Sequence, residues 1–450
     1  MNNNKIIAIV AVVVIVVAGL GVAAYVATRD NSKATITLNA YGGDATFTWK
    51  LSGMADSVAY TGSITADKGD VLTVTATASD STFLFWDDMS TGANSTDHTR
   101  TYAVTGNASL TAYMLSNDNT VVDARGRTTT IPNDIQSVFA IGPCSLEIVS
   151  FFDSVNKVKY LDGFSNGGER PSDLDRITSV MIKKLMQGID SGHYISSAEG
   201  VVAANPDIII SDVVDRGQLD NYQAAVQIPV FAINADMEFN SAMFYYQLIA
   251  LGKLFGEQDR AQELVDGILS MIGYISDNSS PVEGMSAYVC GMNFYTSGSF
   301  TRTSGNYLPF EYSKLNNVSP PSTAGVGAQP YEIDVQYVIN ANPNIIFIDG
   351  QGLKSTQQYI DDHIDTLQLI DAISNNNVYK TMVYKDWGTN WPNVLINIYY
   401  VASIVHPDLF TTKSFTDYAN DVLQLFYPNT SVTYSDLANA QSGGGCGPAY

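Results

Sequence analysis

The sequence predicts a membrane-anchored α/β protein with two lobes that are joined by a helical spine and preceded by an all-β module. Residues 6–26 contain no charged side chain, residues 31–118 alternate apolar and polar side chains, and after residue 119 short apolar runs alternate with segments of helical period. We therefore divide the chain into an anchor at 1–30, a β-sandwich at 31–118, an N-lobe at 119–237, a spine at 238–282, a C-lobe at 283–440 and a glycine-rich tail at 441–450.

The apolar segment at residues 6–26 is long enough to cross a membrane, because about 20 helical residues span the hydrocarbon layer. A cleaved signal peptide would have a shorter apolar stretch, and AAYVATRD, at residues 23–30, is a poor cleavage site. We therefore expect a single-pass anchor in the cell membrane, with the bulk of the chain outside the cytoplasm. Cleavage is the alternative.

The charge balance and the reactive residues exclude several classes of function. The chain has 45 acidic and 23 basic residues and a net charge of -22, which disfavours a nucleic-acid partner. Its three cysteines and four histidines are scattered, and no CxxC, GxSxG, P-loop or HExxH motif is present. The sequence therefore predicts neither an enzyme nor a bare-metal site, and it favours a chelated or organic ligand.

Residues 31–118 are rich in Thr, Ser, Ala, Val and Tyr, in stretches such as ATITLNAY, VLTVTATA and SLTAYML that are separated by Gly, Asp and Asn. This pattern predicts a small β-sandwich that is similar to immunoglobulin-like modules and to surface repeats. Such a module suggests a spacer or adhesion role.

The remainder of the chain follows the pattern of parallel sheets flanked by helices. Short apolar runs such as SVFAIGP, PDIIISDV, IPVFAIN and NIIFIDG lie on both sides of a long helical-period stretch within 238–282, which predicts one or two long helices. Ligands bind such sheets beyond the carboxyl ends of the strands. The tail at 441–450, QSGGGCGPAY, has no helix or strand signal.

Four stretches resemble the substrate-binding proteins of ABC importers, in particular the helix-spine class that captures ferric siderophores, haem and cobalamin. They are VVDARGRTTTIP at 121–132, SSAEGVVAANPDIIISD at 196–212, YEIDVQYVINANPNIIFIDG at 331–350 and VYKTMVYKDWGTNWPNVLINIYYVASIVHPDLF at 378–410. The resemblance implies a class III periplasmic-binding fold, with two Rossmann-like lobes joined by a long helix. It also implies a monomer without an intrinsic cofactor, which delivers an iron chelate, haem or corrinoid to an ABC permease and its ATPase.

The resemblance further implies one surface carboxylate per lobe that docks on the permease. Glu199 matches in the N-lobe, but the corresponding position of the C-lobe, at the same distance before a Pro, is Gln336. Glu332 or Asp334 could take its place, with a slight preference for Glu332 because its side chain is longer. The alternative is that these acids only stabilise the first turn of a helix.

Candidate ligand contacts follow the predicted strands. After the first strand of the N-lobe, Cys144 or Ser145 could cap a helix and leave backbone N–H groups facing the cleft, although capping alone is the simpler role. In the C-lobe, the loop at 291–312 contributes Tyr295 and Arg302, and Arg302 suits a ligand carboxylate or phosphate. An exposed Arg without a ligand is the alternative.

The sequence DWGTNWPN predicts a loop at the mouth of the cleft. We expect ligand contacts there from Tyr384, Trp387, Asn390 and Trp391, because aromatic rings with polar tips suit a flat macrocycle or chelate and amides can both donate and accept. The alternative is that both Trp rings fill the core of the C-lobe. A second hypothesis for the whole chain is a surface adhesion or envelope-structural protein with a degenerate binding domain.

Overall fold

The computed structural model describes residues 32–89, 97–162, 194–195, 197–292, 298–321, 329–441 and 443–450. The chain forms two compact units, Met1–Asn119 and Thr120–Tyr450. The predicted anchor at residues 6–26 lies outside the described residues. Within the described part of the chain, no helix has both the length and the apolar character needed to cross a membrane.

The first unit consists of two four-stranded sheets around one hydrophobic core. Its strands are β1 (Lys33–Tyr41), β2 (Asp44–Leu51), β3 (Val58–Ala59), β4 (Ile64–Asp67), β5 (Val71–Ser79), β6 (Ser81–Trp86), β7 (Thr99–Ala103) and β8 (Ala108–Ser116). The sheet orders are β4-β1-β8-β6, in which β1 and β8 are parallel, and β3-β2-β5-β7, which is antiparallel throughout. Strand alternation directs one face of each sheet inward, so that Ile36 and Leu110 share a core with Phe47 and Leu72.

The N-lobe contains a hairpin followed by a parallel five-stranded sheet. Its elements are β9 (Thr120–Val122), β10 (Thr128–Thr130), β11 (Val138–Ile141), α1 (Pro143–Val149), β12 (Val158–Asp162), β13 (Tyr194–Ile195), α2 (Ala198–Ala204), β14 (Ile208–Ser211), α3 (Arg216–Val226) and β15 (Val230–Ala232). The sheet order is β13-β12-β11-β14-β15. The buried carboxylate of Asp123 joins the hairpin to the sheet, because it accepts the N–H groups of Arg127 at 3.0 Å and Ala232 at 3.1 Å.

The spine consists of two consecutive helices, α4 (Ala242–Phe255) and α5 (Gln258–Asn278), which is one of the two arrangements predicted from the helical period, whereas the resemblance implied one long helix. Gly256 ends α4 with a φ of 73°, a left-handed conformation that glycine adopts at little cost. A side chain at Gly252 would overlap with Ala261, so the glycine also allows the two helices to approach closely. The apolar stripe of α5, including Leu264 and Ile268, is fully buried.

The C-lobe repeats the sheet architecture. Its elements are β16 (Ser286–Cys290), β17 (Arg302–Thr303), α6 (Leu308–Tyr312), β18 (Asn316–Asn317), β19 (Tyr331–Glu332), α7 (Val335–Ala341), β20 (Ile345–Asp349), α8 (Leu353–Asp362), α9 (Ile364–Leu367), α10 (Asp371–Ser374), β21 (Val378–Thr381), α11 (Trp391–Val405), α12 (Phe415–Phe426), α13 (Tyr434–Ala440) and β22 (Gly447–Pro448). The sheet order is β18-β16-β20-β21-β22, parallel except for β22.

The glycine-rich tail contributes to this sheet, which corrects the expectation that it has no strand. β22 pairs antiparallel with β21, and the N–H of Ala449 donates to the carbonyl of Val378 at 3.0 Å. A Cβ at Gly443 would lie 2.3 Å from the Cα of Gly350, so this position has no room for a side chain. The pairing uses the backbone, and a side-chain pattern therefore does not predict it.

Candidate ligand-binding site at the lobe interface

The loops after the parallel strands of the two lobes meet at one hairpin of the C-lobe, residues 384–390, which we call the interlobe hairpin. Lys385 and Thr389 face each other across it in an isolated antiparallel bridge. The N–H of Asn390 donates to the carbonyl of Tyr384 at 3.0 Å and closes its base. Trp387, at its tip, has a φ of 63°, which is uncommon for a bulky residue and requires support from the surroundings.

The tip of the interlobe hairpin packs directly on the N-lobe. The N–H of Thr389 donates to the carbonyl of Ala235 at 2.9 Å, and the Sγ of Cys144 lies 3.6 Å from the carbonyl oxygen of Trp387. A Cβ at Gly388 would lie only 2.5 Å from this sulfur. Glycine is therefore required at this position for the observed contact between the lobes.

A buried charge cluster lies at the base of the interlobe hairpin. The ammonium of Lys385, with 1% of its side chain exposed, lies 3.2 Å from Asp236 Oδ1 and 3.8 Å from an oxygen of the fully buried Glu238. Both acids follow β15, so the cluster joins the C-lobe to the start of the spine. Burial, and then the charge of Glu238, raises the pKa of the Tyr384 phenol well above its ordinary value. Tyr384 is therefore a neutral, buried side chain of this cluster and does not line an open surface.

Cys144 and Ser145 lie in the first turn of α1, and both are fully buried. The backbone N–H of Cys144 donates to Asp212 Oδ2 at 3.1 Å. This N–H was predicted to face the cleft, but a carboxylate of the protein itself accepts it. Asp212 was not predicted as a functional residue, although its position directly after β14 was a signal.

The two tryptophans have different environments. Trp391 is fully buried, its indole N–H donates to the carbonyl of Met237 at 2.8 Å, and its ring packs 5.6 Å from Phe244. It is a core residue and does not lie at the mouth of the cleft, but Met237 belongs to the N-lobe and Phe244 to the spine, so it does not fill the C-lobe core of the alternative prediction. Trp387 is only half-buried. Asn390 is also buried and donates its amide to the carbonyl of Val383 at 3.1 Å.

Of the two ligand contacts predicted in the loop at 291–312, the structure describes only Arg302. Tyr295 lies outside the described residues. The guanidinium of Arg302 is 3.7 Å from Glu332 Oε1, because β17 and β19 pair, and its Nε–H points to the carbonyl of Met292 at 3.4 Å. The structure therefore brings together a predicted ligand contact, Arg302, and a predicted docking residue, Glu332.

The remaining docking candidates lie at the starts of helices. Glu199 is exposed in the first turn of α2. Asp334 is the N-cap of α7 and accepts the N–H of Gln336 at 2.8 Å, which is the capping role named as its alternative. Glu332 is 54% exposed and accepts the hydroxyl of Thr301 at 2.7 Å.

The charge cluster of Lys385, Asp236 and Glu238 was not predicted. Two acids two residues apart after a strand, in NADMEF, and a lone Lys before DWG were the available signals. Their pairing depends on tertiary structure. Among the described residues, no three His, Cys, Asp or Glu side chains are grouped so that they could hold a metal ion.

Comparisons with known proteins agree with this architecture. A family model described as periplasmic binding protein matches residues 186–382. A comparison with curated protein sequences gives no match.

Solved structures match the chain over most of its length. The molybdate periplasmic binding protein MolA of Haemophilus influenzae, bound to molybdate, is 17% identical with a TM-score of 0.53, covering 70% of this chain and 100% of that one. A periplasmic solute binding protein from Veillonella parvula DSM 2008 is 15% identical with a TM-score of 0.53, covering 72% and 96%. CeuE of Helicobacter pylori with Ni(II) bound is 14% identical with a TM-score of 0.50, covering 72% and 100%. At these identities the likeness is one of fold, and the α/β unit has the periplasmic binding protein fold.

Proposed function

We propose that this protein is a solute-binding receptor that captures a small molecule between its lobes and delivers it to an ABC importer. The observation that carries the proposal is the meeting of strand-end loops from both lobes at the interlobe hairpin, because open α/β sheets bind ligands beyond the carboxyl ends of their strands. The family match over residues 186–382 and the shared fold support it. The proposed role requires no catalysis.

For the ligand we propose a metal chelate or a metal-containing cofactor, such as an iron chelate, haem or corrinoid. Trp387 is the half-buried aromatic ring at the tip of the interlobe hairpin, and its backbone is held in an unusual conformation by contacts with the N-lobe. A ring fixed in this way offers a flat surface for stacking. Solved structures of this fold include MolA with molybdate and CeuE with Ni(II), so the fold accommodates metal-containing ligands.

The proposed setting is extracytoplasmic, with residues 6–26 as the anchor and the chain acting as a monomer. A permease would contact Glu199 on the N-lobe and Glu332, with Asp334 nearby, on the C-lobe. Both glutamates are exposed. Glu199 lies in the first turn of α2, which precedes β14, and Glu332 lies just before α7, which precedes β20.

Native mass spectrometry, absorption spectroscopy and metal analysis of the full-length protein, purified in detergent from its native host, test this proposal. We expect a co-purified chelate, haem or corrinoid with its metal. A protein that is empty and that ignores siderophores, haem and cobalamins would overturn the ligand class.

The contribution of Trp387 can be tested with a matched variant. Trp387→Ala should weaken binding of the recovered ligand by about 1–3 kcal/mol, because a stacked ring buries apolar area. Trp49→Ala removes an indole from the first unit and should leave the affinity unchanged. Equal affinities of the two variants would remove the interlobe hairpin from the site.

A second candidate is a surface adhesion or envelope-structural protein. It is favoured because groups that were predicted to contact a ligand or the permease are bonded to other residues of the chain. Asp212 accepts the N–H of Cys144, and Glu332 pairs with Arg302. The presence of Gln336 where a docking acid is expected points the same way. Failure to recover any ligand, together with a gene neighbourhood that lacks a permease and an ATPase, would favour this candidate.

A further inference from the structure

Five segments of the chain have the pattern Asn-x-Ser/Thr, which is the acceptor pattern for N-linked glycans. They begin at Asn94, Asn107, Asn278, Asn317 and Asn429. Asn94 lies outside the described residues. The structure separates the other four, because a transferase must reach both the Asn amide and the Ser/Thr hydroxyl, and the attached sugar must remain outside the protein.

Asn317 is half-buried in β18, and its amide is fully used by the protein. Its Nδ2 donates to the carbonyls of Ser304 at 3.0 Å and Gly305 at 3.3 Å, which takes both amide protons, and a glycosylated amide keeps only one. The hydroxyl that completes the pattern, on Ser319, belongs to a residue that is 6% exposed and bonds to Thr303 at 2.6 Å. A glycan at Asn317 is therefore incompatible with this local structure.

Asn107 is exposed in the loop that precedes β8. The backbone N–H of Thr35 donates to its Oδ1 at 2.8 Å, so this bond uses the amide oxygen and leaves Nδ2 for a sugar. Ser109 completes the pattern and is also exposed. Its hydroxyl accepts the amide of Asn39 at 2.7 Å and keeps its own proton. Both groups that a transferase must reach are therefore on the surface.

Asn429 is exposed in the loop between α12 and α13. Its Nδ2 donates one proton to Asp153 Oδ1 at 2.6 Å, and the second proton can be replaced by a sugar without loss of this bond. Ser431, which completes the pattern, is exposed. This loop therefore meets the same requirements as the loop at Asn107.

Asn278 differs from these two positions because it is the last residue of α5. Its amide donates to the carbonyl of Tyr274 in the same helix at 2.7 Å. The acceptor is thus part of a helix and not of a loop. We therefore restrict the inference to the two loop positions.

We propose that Asn107 and Asn429 carry N-linked glycans and that Asn317 does not. The co-reactant is a lipid-linked sugar phosphate. A bond forms between Nδ2 and C1 of the first sugar, and Nδ2 loses one proton. The bond from C1 to the donor phosphate breaks, and the phosphate leaves with its electron pair. The proposal shares the extracytoplasmic setting with the proposed receptor, but it does not depend on the ligand.

Peptide mapping of the full-length protein, purified in detergent from its native host, tests the proposal. Mass spectrometry with electron-transfer fragmentation locates each glycan on its residue. We expect glycans of the same composition at Asn107 and Asn429 and an unmodified peptide at Asn317. The proposal is overturned if Asn317 carries a glycan, or if either loop position is unmodified. Ligand recovery is measured separately, so a failed receptor proposal would not alter this result.

A matched pair of variants tests whether attachment depends on the pattern. Ser431→Ala keeps Asn429 and its bond to Asp153 but removes the hydroxyl, so the glycan at Asn429 should be lost and the one at Asn107 retained. Ser435→Ala removes an exposed hydroxyl of α13 outside the pattern and should leave both glycans in place. A glycan that persists at Asn429 in Ser431→Ala would contradict attachment through the Asn-x-Ser/Thr pattern.

Discussion

The N-lobe and the C-lobe contain matching segments, 197–212 and 334–349, that agree in local structure and differ in chemistry. Each begins with a capped helix of seven residues, α2 or α7, and ends with a central strand. Asn205 and Asn342 end the two helices in the left-handed conformation, with φ of 48° and 45°, and a Pro follows each. The backbone requirements are therefore met by the same residue types in both lobes.

One pair of matching side chains, Asp207 and Asn344, differs in charge. Asp207 Oδ2 accepts the N–H of Ser137 at 2.8 Å at the start of β11. At the matching position, Asn344 Oδ1 accepts the N–H of Ser286 at 2.8 Å at the start of β16. A carboxylate and an amide thus perform the same local task. The comparison shows that the hydrogen-bond geometry is kept while the charge is not.

The largest effect is expected where the two lobes meet. Lys385→Met should lower the free energy of unfolding by about 3–5 kcal/mol, because it leaves Asp236 and the fully buried Glu238 without their cation. Lys354→Met, at an exposed position of the C-lobe, is the control and should change it little. Urea unfolding measures both, and equal stabilities would mean that this cluster does not hold the lobes together.

The second largest effect is expected at the acids where the matching strands β14 and β20 end, Asp212 and Asp349. Asp349 is 1% exposed and accepts the N–H groups of Tyr384 at 2.8 Å and Gln351 at 3.0 Å. Asp212 is only half-buried. We expect Asp349→Ala to lower the free energy of unfolding by about 3 kcal/mol and Asp212→Ala by about 1 kcal/mol, because a buried donor that loses its acceptor destabilises the folded state. Thermal or urea unfolding would contradict this order if Asp212→Ala were the more damaging change.

The charge difference at Asp207 and Asn344 predicts a difference in pH dependence. Burial raises the pKa of Asp207, but hydrogen bonds from Gln136 and Ser137 outweigh it and the net shift is downward. An acid with a lowered folded-state pKa stabilises the fold above its unfolded pKa of about 4, and this stabilisation is lost as the pH falls through the folded value.

We therefore expect Asp207→Asn to lower the free energy of unfolding by about 1 kcal/mol at neutral pH, where it replaces a charged acceptor by a neutral one. The difference between the variant and the unmodified protein should shrink as the solution is acidified below pH of about 4. Unfolding curves across this range, with Asn344→Ala as a variant whose cost does not depend on a carboxyl titration, measure it. If the loss of unfolding free energy in Asp207→Asn stayed constant with pH, the charge of Asp207 would not contribute to stability.

The smallest effect concerns the surface positions Glu199 and Gln336. Both lie in the first turn of a helix, where a negative charge is favoured by about 0.3–1 kcal/mol. Gln336→Glu should therefore raise the thermal midpoint slightly, and Glu199→Gln should lower it slightly. Opposite signs or larger shifts would indicate contacts beyond the helix dipole.

The sequence predicted the parts of the fold that depend on local pattern. The sequence at 197–211 itself shows the order of a helix, Asn-Pro and a strand. The sequence of the first unit shows the alternation of apolar and polar side chains. The contacts of Trp391 and Lys385 were not predictable in this way, because each joins residues that are far apart in the chain. Gly256 is a local signal for two spine helices over one, because glycine readily ends a helix in the left-handed conformation.

The strand β22 has a consequence for how the chain is made. Because Gly447 and Pro448 form the outer strand of the C-lobe sheet, the edge of β21 stays uncovered until these residues, which lie far along the chain from β21, have been synthesised. A nascent chain that contains β21 but not yet β22 therefore exposes an unpaired strand edge, which is a template for pairing with other chains.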